Sequence, residues 1–174
     1  MTTIDPRYPI GKFEAKEKYS TEDVITNINR IASLPSKMEK TIVGLSDSQL
    51  DTPYRDGGWT VRQVVHHLAD SHMNAYIRFK WTLTEDSPLI KAYDEKAWAT
   101  TPETTAPAII SIELIKALHA KWTILMKGLP PESLTKFFVH PDTKKHVPLD
   151  RLIATYAWHG EYHLAHINLV VSSK

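Results

Sequence analysis

The sequence predicts an all-α protein, a four-helix bundle with long crossover connections, and three observations carry that expectation. Four segments repeat apolar residues at the three-and-four spacing of a buried helix face. Helix-start patterns of capping residues stand before two of them. Runs with the two-residue alternation of strands are scarce. At 174 residues the chain has the length of one domain with its own hydrophobic core. We therefore read residues 1–174 as a single unit.

Residues 1–19 hold Pro6, Pro9 and Gly11 without sustained periodicity, and read as an extended arm laid over the domain. Ser20 followed by Asp23 marks the first helix start, and Val24, Ile25, Ile28, Ile31 and Ala32 then recur at helical spacing. Pro35 is expected to kink this helix or to restart it as a first-turn proline. The apolar pattern resumes through Met38, Ile42, Val43 and Leu45. A turn-rich loop, SDSQLDTPYRDGGW, leads to Thr60 and Gln63, a capping box opening the second helix. A proline-punctuated connection follows Thr84. The third helix is expected from about Ile109 to Leu129, where Pro130-Pro131 ends it. FFVHPDTKKHVP reads as loop or short hairpin, and the last helix runs from about Leu149 to Val171.

Composition excludes several functions. Lys and Arg total 21 against 20 Asp and Glu, a net charge of +1, so the electrostatic footprint of nucleic-acid binding is missing. The absence of cysteine removes disulfides, thiolate metal sites and a cysteine nucleophile together. Any metal must then be held by histidine or carboxylate. No window approaches the ~20 apolar residues of a membrane span, and the N-terminus has no signal-like apolar region. A cytoplasmic protein with no membrane partner is the expectation.

The stretch WHGEYHLAHI in the last helix places three histidines where apolar residues are needed. At about 100° per residue, Leu152, Tyr156, His159, His163, Ile167 and Val170 share one side, and His166 lies at its edge. Two imidazoles on a buried face must find partners or cost several kcal/mol, roughly, in desolvation. One divalent cation satisfies both. Metalloproteases use the same i, i+4 pair, but with Glu after the first histidine; Gly160 stands there, which argues against that class. On the second helix, Val61, Val65, Leu68, His72 and Tyr76 form the apolar face. A polar stripe of His67, Ser71, Asn74 and Arg78 runs beside it, and His66 and Asp70 share another flank. His119, His140 and His146 read as ordinary core or surface residues.

Two of these stretches, DGGWTVRQVVHHLADSHMNAYIRFK and the His-x-x-x-His pair, together resemble the DinB superfamily and its YfiT branch. YPIGKF, LDTPYRDGGW, AYDEKAW and HPDTK agree, so the resemblance covers nearly the whole chain. It implies a four-helix bundle of unusual crossover topology, often a homodimer, that binds one divalent metal, zinc or nickel, through three histidines. Carried onto this chain, the ligands are His67, His159 and His163. It further implies a metal-dependent hydrolase acting on a small-molecule substrate. Related members transfer a low-molecular-weight thiol such as bacillithiol onto electrophiles, so an S-transferase stays open, as does a non-catalytic metal-binding bundle. Three neutral imidazoles leave at least one position for a water or thiol, whose pKa the metal lowers, to roughly 7 for water. The general base is unassigned. Asp70 is a candidate to orient an imidazole, Asn74 and Arg78 to grip an anionic group, and Tyr93, Asp94, Glu95 and Trp98 to fold over the cleft.

Overall fold

The structure, a computed structural model, describes residues 5–172. Ser20 accepts a hydrogen bond from the Asp23 amide, and the Asp23 carboxylate accepts one from the Ser20 amide. This capping box starts α1 (Thr21–Ile42). Pro35 neither ends nor restarts the helix; it lies buried inside one continuous α1. A one-turn helix α2 (Asp47–Leu50) follows. Then a tight turn, with Gly57 at φ +63°, is closed by Tyr54 N–H on the Trp59 carbonyl at 3.1 Å. A left-handed backbone there suits a residue without Cβ. Thr60 and Gln63 form the expected capping box, opening α3 (Val61–Thr84).

The connection to the next long helix has regular pieces of its own. Asp94 caps the short α4 (Glu95–Trp98) by accepting from the Lys96 and Ala97 amides, and a 3₁₀ turn spans Pro102–Thr105. Helix α5 (Ile109–Lys127) ends at Gly128, just short of the predicted Leu129. The FFVHPDTKKHVP stretch is a hairpin: β1 (Phe137–Val139) pairs antiparallel with β2 (His146–Pro148), Phe138 opposite Val147. Helix α6 (Leu149–Val171) begins directly after β2, as expected. The arm carries no helix or strand over residues 5–19 and runs against α6, where Phe13 meets Trp158 and Tyr162 donates to the Arg7 carbonyl. Its first four residues lie outside the described part.

Helix α1 packs on α5 and α6, and so does α3. The sequence-consecutive long helices α1 and α3 are therefore diagonal, as are α5 and α6, and two connections cross the bundle. This is the crossover four-helix bundle that the sequence predicts. Its apolar core has two parts. One holds Val24 to Ile31 of α1, Ala75 and Phe79 of α3, Trp122 and Met126 of α5, and Leu149 to Ala157 of α6. The other holds Leu34 to Ile42, Val61 to Ala69, Ala108 to Ile115 and Ile167 of the same four helices. On α3, α5 and α6 the boundary between them is marked by histidine: His72, His119, and His159 with His163. A belt of imidazoles thus crosses the middle of the bundle. Among the described residues no helix is long and apolar enough to cross a membrane.

Candidate metal centre

Helices α3 and α6 are neighbours, and each turns its histidine stripe toward the other. His67, His159 and His163 each offer a ring nitrogen, all within 4.8 Å of one another. The Nε2 atoms of His67 and His159 are 3.4 Å apart. Two nitrogens bound tetrahedrally to one cation at ~2.0–2.1 Å stand about that far from each other, so the donor set fits a divalent metal. The i, i+4 relation stacks His159 on His163 with ring centroids 4.6 Å apart. His67 reaches across from α3, 4.8 Å from His163. His67 and His163 are buried and His159 is partly exposed.

Gly160 explains itself here. A Cβ on it would lie 2.4 Å from Leu34 Cδ2. The close neighbour is a side chain of α1 and not backbone. Glycine at this point lets α1 and α6 come together beside the ligand pair.

The belt extends behind the ligands. His159 Nδ1 stands 3.3 Å from His72 Nε2, and His72 Nδ1 stands 2.9 Å from His119 Nε2. His119 Nδ1 donates to the Ile31 carbonyl at 2.7 Å. On the other side, His163 Nδ1 is 3.3 Å from His166 Nδ1, which leaves His163 Nε2 for a metal. His166 is fully buried and stacked on Tyr54 at 4.1 Å, beside the arm backbone at Pro6 and Arg7. Trp59 covers the cluster from the loop before α3, 4.7 Å from His67 and 6.4 Å from His163.

None of these imidazoles has a carboxylate partner among the described residues. Burial alone pushes His67 down to about 4. Burial, then the neighbouring histidines, push His159 to about 3. Burial, chiefly, takes His119 and His166 to about 4 and His72 and His163 well below their ordinary value. All six are neutral at pH 7, the form that binds a cation.

The remaining candidates lie elsewhere. His66 is complete without a metal: its ring nitrogens meet Ser111 Oγ at 2.8 Å and the Ala106 carbonyl at 3.1 Å. Asp70 orients no imidazole. It shares the His66 flank and faces Glu103, and burial with that like charge raises its carboxyl to about 6. The imidazole behind a ligand is held by His72 instead. Asn74 donates to the Asp70 carbonyl of its own helix at 2.9 Å. Arg78 donates to the Lys91 carbonyl and lies over the Tyr93 ring. It also neighbours Tyr156, whose ring packs 5.5 Å from His159. Tyr93 sits beside Ser71 and packs on Trp98 at 4.6 Å, so part of the long connection does cover α3. Asp94 lies exposed, and Glu95 and Trp98 are exposed only in part, with burial raising the Glu95 carboxyl. His140 accepts from loop amides, and His146 stacks on Phe137 at 4.2 Å, both away from the belt.

His72, His119 and Trp59 are the residues that the sequence reading passed over. The signal for the first was its place on the apolar face of α3, five residues after His67. For the second it was Pro35, as argued below.

Comparison with known proteins agrees with this fold. The profile of the DinB superfamily matches residues 30–167. The chain is 48% identical over 168 residues to the Bacillus subtilis protein named "Putative metal-dependent hydrolase YfiT", covering 96% of this chain and 94% of that one. Relatives of the same general name occur in Oceanobacillus iheyensis, 46% identical over 98% of this chain and 99% of the relative, and in Bacillus cereus, 50% identical over 94% of each. The solved structure of YfiT from Bacillus subtilis is described as "a probable metal-dependent hydrolase with an unusual four-helix bundle topology". It superposes with a TM-score of 0.94 at 46% identity over 96% of both chains. By sequence and by fold, the chain belongs to the DinB superfamily, in the group represented by YfiT.

Proposed function

We propose that His67, His159 and His163 hold one divalent cation, zinc or nickel, and that the protein is a metal-dependent hydrolase of a small-molecule substrate. The observation that carries this reading is the convergence of three neutral imidazoles whose group has no fourth protein ligand among the described residues. Structural zinc is usually closed by four protein ligands, whereas three with an open position suit catalysis. A cation held there supplies Lewis acidity and acidifies a nucleophile that enters the open position.

The chain's own residues do the rest. Trp59 packs against His67 and His163, and Tyr54 stacks on His166 behind them. Tyr156 packs on His159, and Arg78, next to Tyr156, is the cation best placed to receive an anionic part of the substrate. Asp70 and Asn74, engaged on another flank and on the helix backbone, are the weaker candidates for substrate contact. A homodimer is proposed with this activity; Ile110, Leu114 and Ile124 are exposed along α5 and form apolar surface that a second copy would cover.

The test is to purify the untagged protein, measure metal by mass spectrometry, and assay the loaded form on esters, amides and thiol–electrophile pairs. About one metal per chain with hydrolysis lost on chelation is the expected result. Turnover that requires a low-molecular-weight thiol would replace the hydrolase by an S-transferase. A loaded protein inert toward every pair would leave a non-catalytic metal-binding bundle.

A further inference from the structure

Pro35 has no amide hydrogen, and in a helix its absent donor is the one that would reach the carbonyl four residues earlier. That carbonyl belongs to Ile31. It accepts instead from His119 Nδ1 at 2.7 Å. A carbonyl only accepts, so the proton of His119 is on Nδ1. The ring is 1% exposed with no carboxylate partner, hence neutral, and its Nε2 is a bare acceptor. His72 Nδ1, 2.9 Å away, must then carry the proton of His72, which leaves His72 Nε2 as acceptor. His159 Nδ1, 3.3 Å from it, is in turn the donor. The only nitrogen of His159 left without a proton is Nε2, the atom facing His67 Nε2.

One backbone carbonyl therefore sets the tautomers of three imidazoles in sequence. The chain of bonds visits all four long helices: Ile31 on α1, His119 on α5, His72 on α3 and His159 on α6. We propose that His72 and His119, anchored on the carbonyl freed by Pro35, are positioning residues that hold His159 with its Nε2 lone pair presented to a metal. This assignment rests on the metal reading above. It adds the prediction that the presentation exists before any metal arrives.

The alternative arrangement shows why it matters. Without an acceptor at position 119, His72 is free to move its proton to Nε2 and donate to His159 Nδ1. That would push the His159 proton onto Nε2, where it blocks coordination. Partners of this kind behind a ligating histidine are typically worth 10–100-fold in metal affinity.

Two readouts test the proposal. In the metal-free protein, long-range proton–nitrogen NMR of labelled histidine reports which ring nitrogen carries each proton. His119, His72 and His159 are expected all to be Nδ1–H. In parallel, zinc affinity is measured by chelator competition for wild type, His119→Leu and His119→Gln. Leu removes the acceptor and is expected to weaken zinc binding about 10–100-fold and to shift His159 toward Nε2–H. Gln keeps an acceptor and is expected to restore most of the affinity. An Nε2–H tautomer of His159 in the wild-type protein would overturn the proposal, as would wild-type affinity in a folded His119→Leu variant. If Leu at this position prevents folding, the wild-type tautomers still decide. If wild type takes up no zinc while the tautomers are as stated, the metal reading fails and the histidine relay stands.

Discussion

His66 and His67 are neighbours in the chain, both buried on α3, and they belong to two different kinds of polar site. His66 looks to the flank where the chain crosses over to α5, and both its ring nitrogens are matched, by Ser111 and the Ala106 carbonyl. The same flank holds Arg62, which binds Asp47 and Asp51 at 2.8 and 2.7 Å and reaches the Ala106 carbonyl as well. There every donor meets an acceptor, and the network ties the α2 turn and the crossover onto α3. His67 looks to the bundle centre, where its Nε2 meets His159 Nε2 at 3.4 Å and His163 lies beside it. The first region is matched by hydroxyl, carbonyl and carboxylate, and the second gathers imidazoles alone. Residue type, burial and helix are the same; only the partners differ.

Substitution should break this comparison most visibly at the two adjacent histidines. His67→Ala, or His163→Ala across from it, is expected to abolish one-to-one metal uptake, read by mass spectrometry of the zinc-equilibrated protein. His66→Leu should leave uptake at one per chain. It would cost about 1–3 kcal/mol of stability, read by denaturant melting, because Ser111 loses its partner and the Ala106 carbonyl keeps only Arg62. Equal uptake in His66→Leu and His67→Ala would erase the distinction.

Acid should separate the two regions next. In the unfolded chain a histidine takes up its proton near 6.5, whereas buried His67 and His119 stay neutral down to about 4. Between these values the unfolded state binds more protons, so stability falls as pH falls through that window and levels off below it. By pH 5 each of the two should cost about 2 kcal/mol. Melting of metal-free protein between pH 7 and 5 measures the loss, and a flat profile would contradict the burial of the belt.

The smallest effect is expected at Gly160. Alanine there gains about 1 kcal/mol of helix propensity but must displace Leu34, at an overpacking cost of about 1–3 kcal/mol. A net loss of about 1 kcal/mol in Gly160→Ala, with metal uptake intact, is the expected result of melting and metal analysis.

The contrast also explains what could be read from the amino acids alone. The capping boxes at Ser20 and Thr60 and the stripes on α3 and α6 are local patterns, and they gave the helices and the His159/His163 pair; the family resemblance supplied His67 as the third. Partner choice is not local. Whether His66, His72 or Asp70 stands behind a ligand depends on which helix lies opposite, and the two diagonal crossings decide that. Asp70 is an orienting group by chemistry alone: its flank is not that of His67, and it turns to Glu103. His119 seemed an ordinary core residue, and only the fold shows that Pro35 had left a carbonyl waiting for it.

The crossing of the chain has a further consequence, in time rather than in space. His67 and His159 are separated by 92 positions, and the contact from His119 to Ile31 spans 88. The support can form among α1, α3 and α5, through Ile31, His119 and His72, but the centre needs α6. Contacts of such long range are late and slow to close. During synthesis the first three long helices can associate, but His67 meets neither His159 nor His163 until α6 docks. Metal capture should therefore coincide with the final folding step, and an ion present at that moment would act as a lock on a finished bundle, not as a nucleus for an early one.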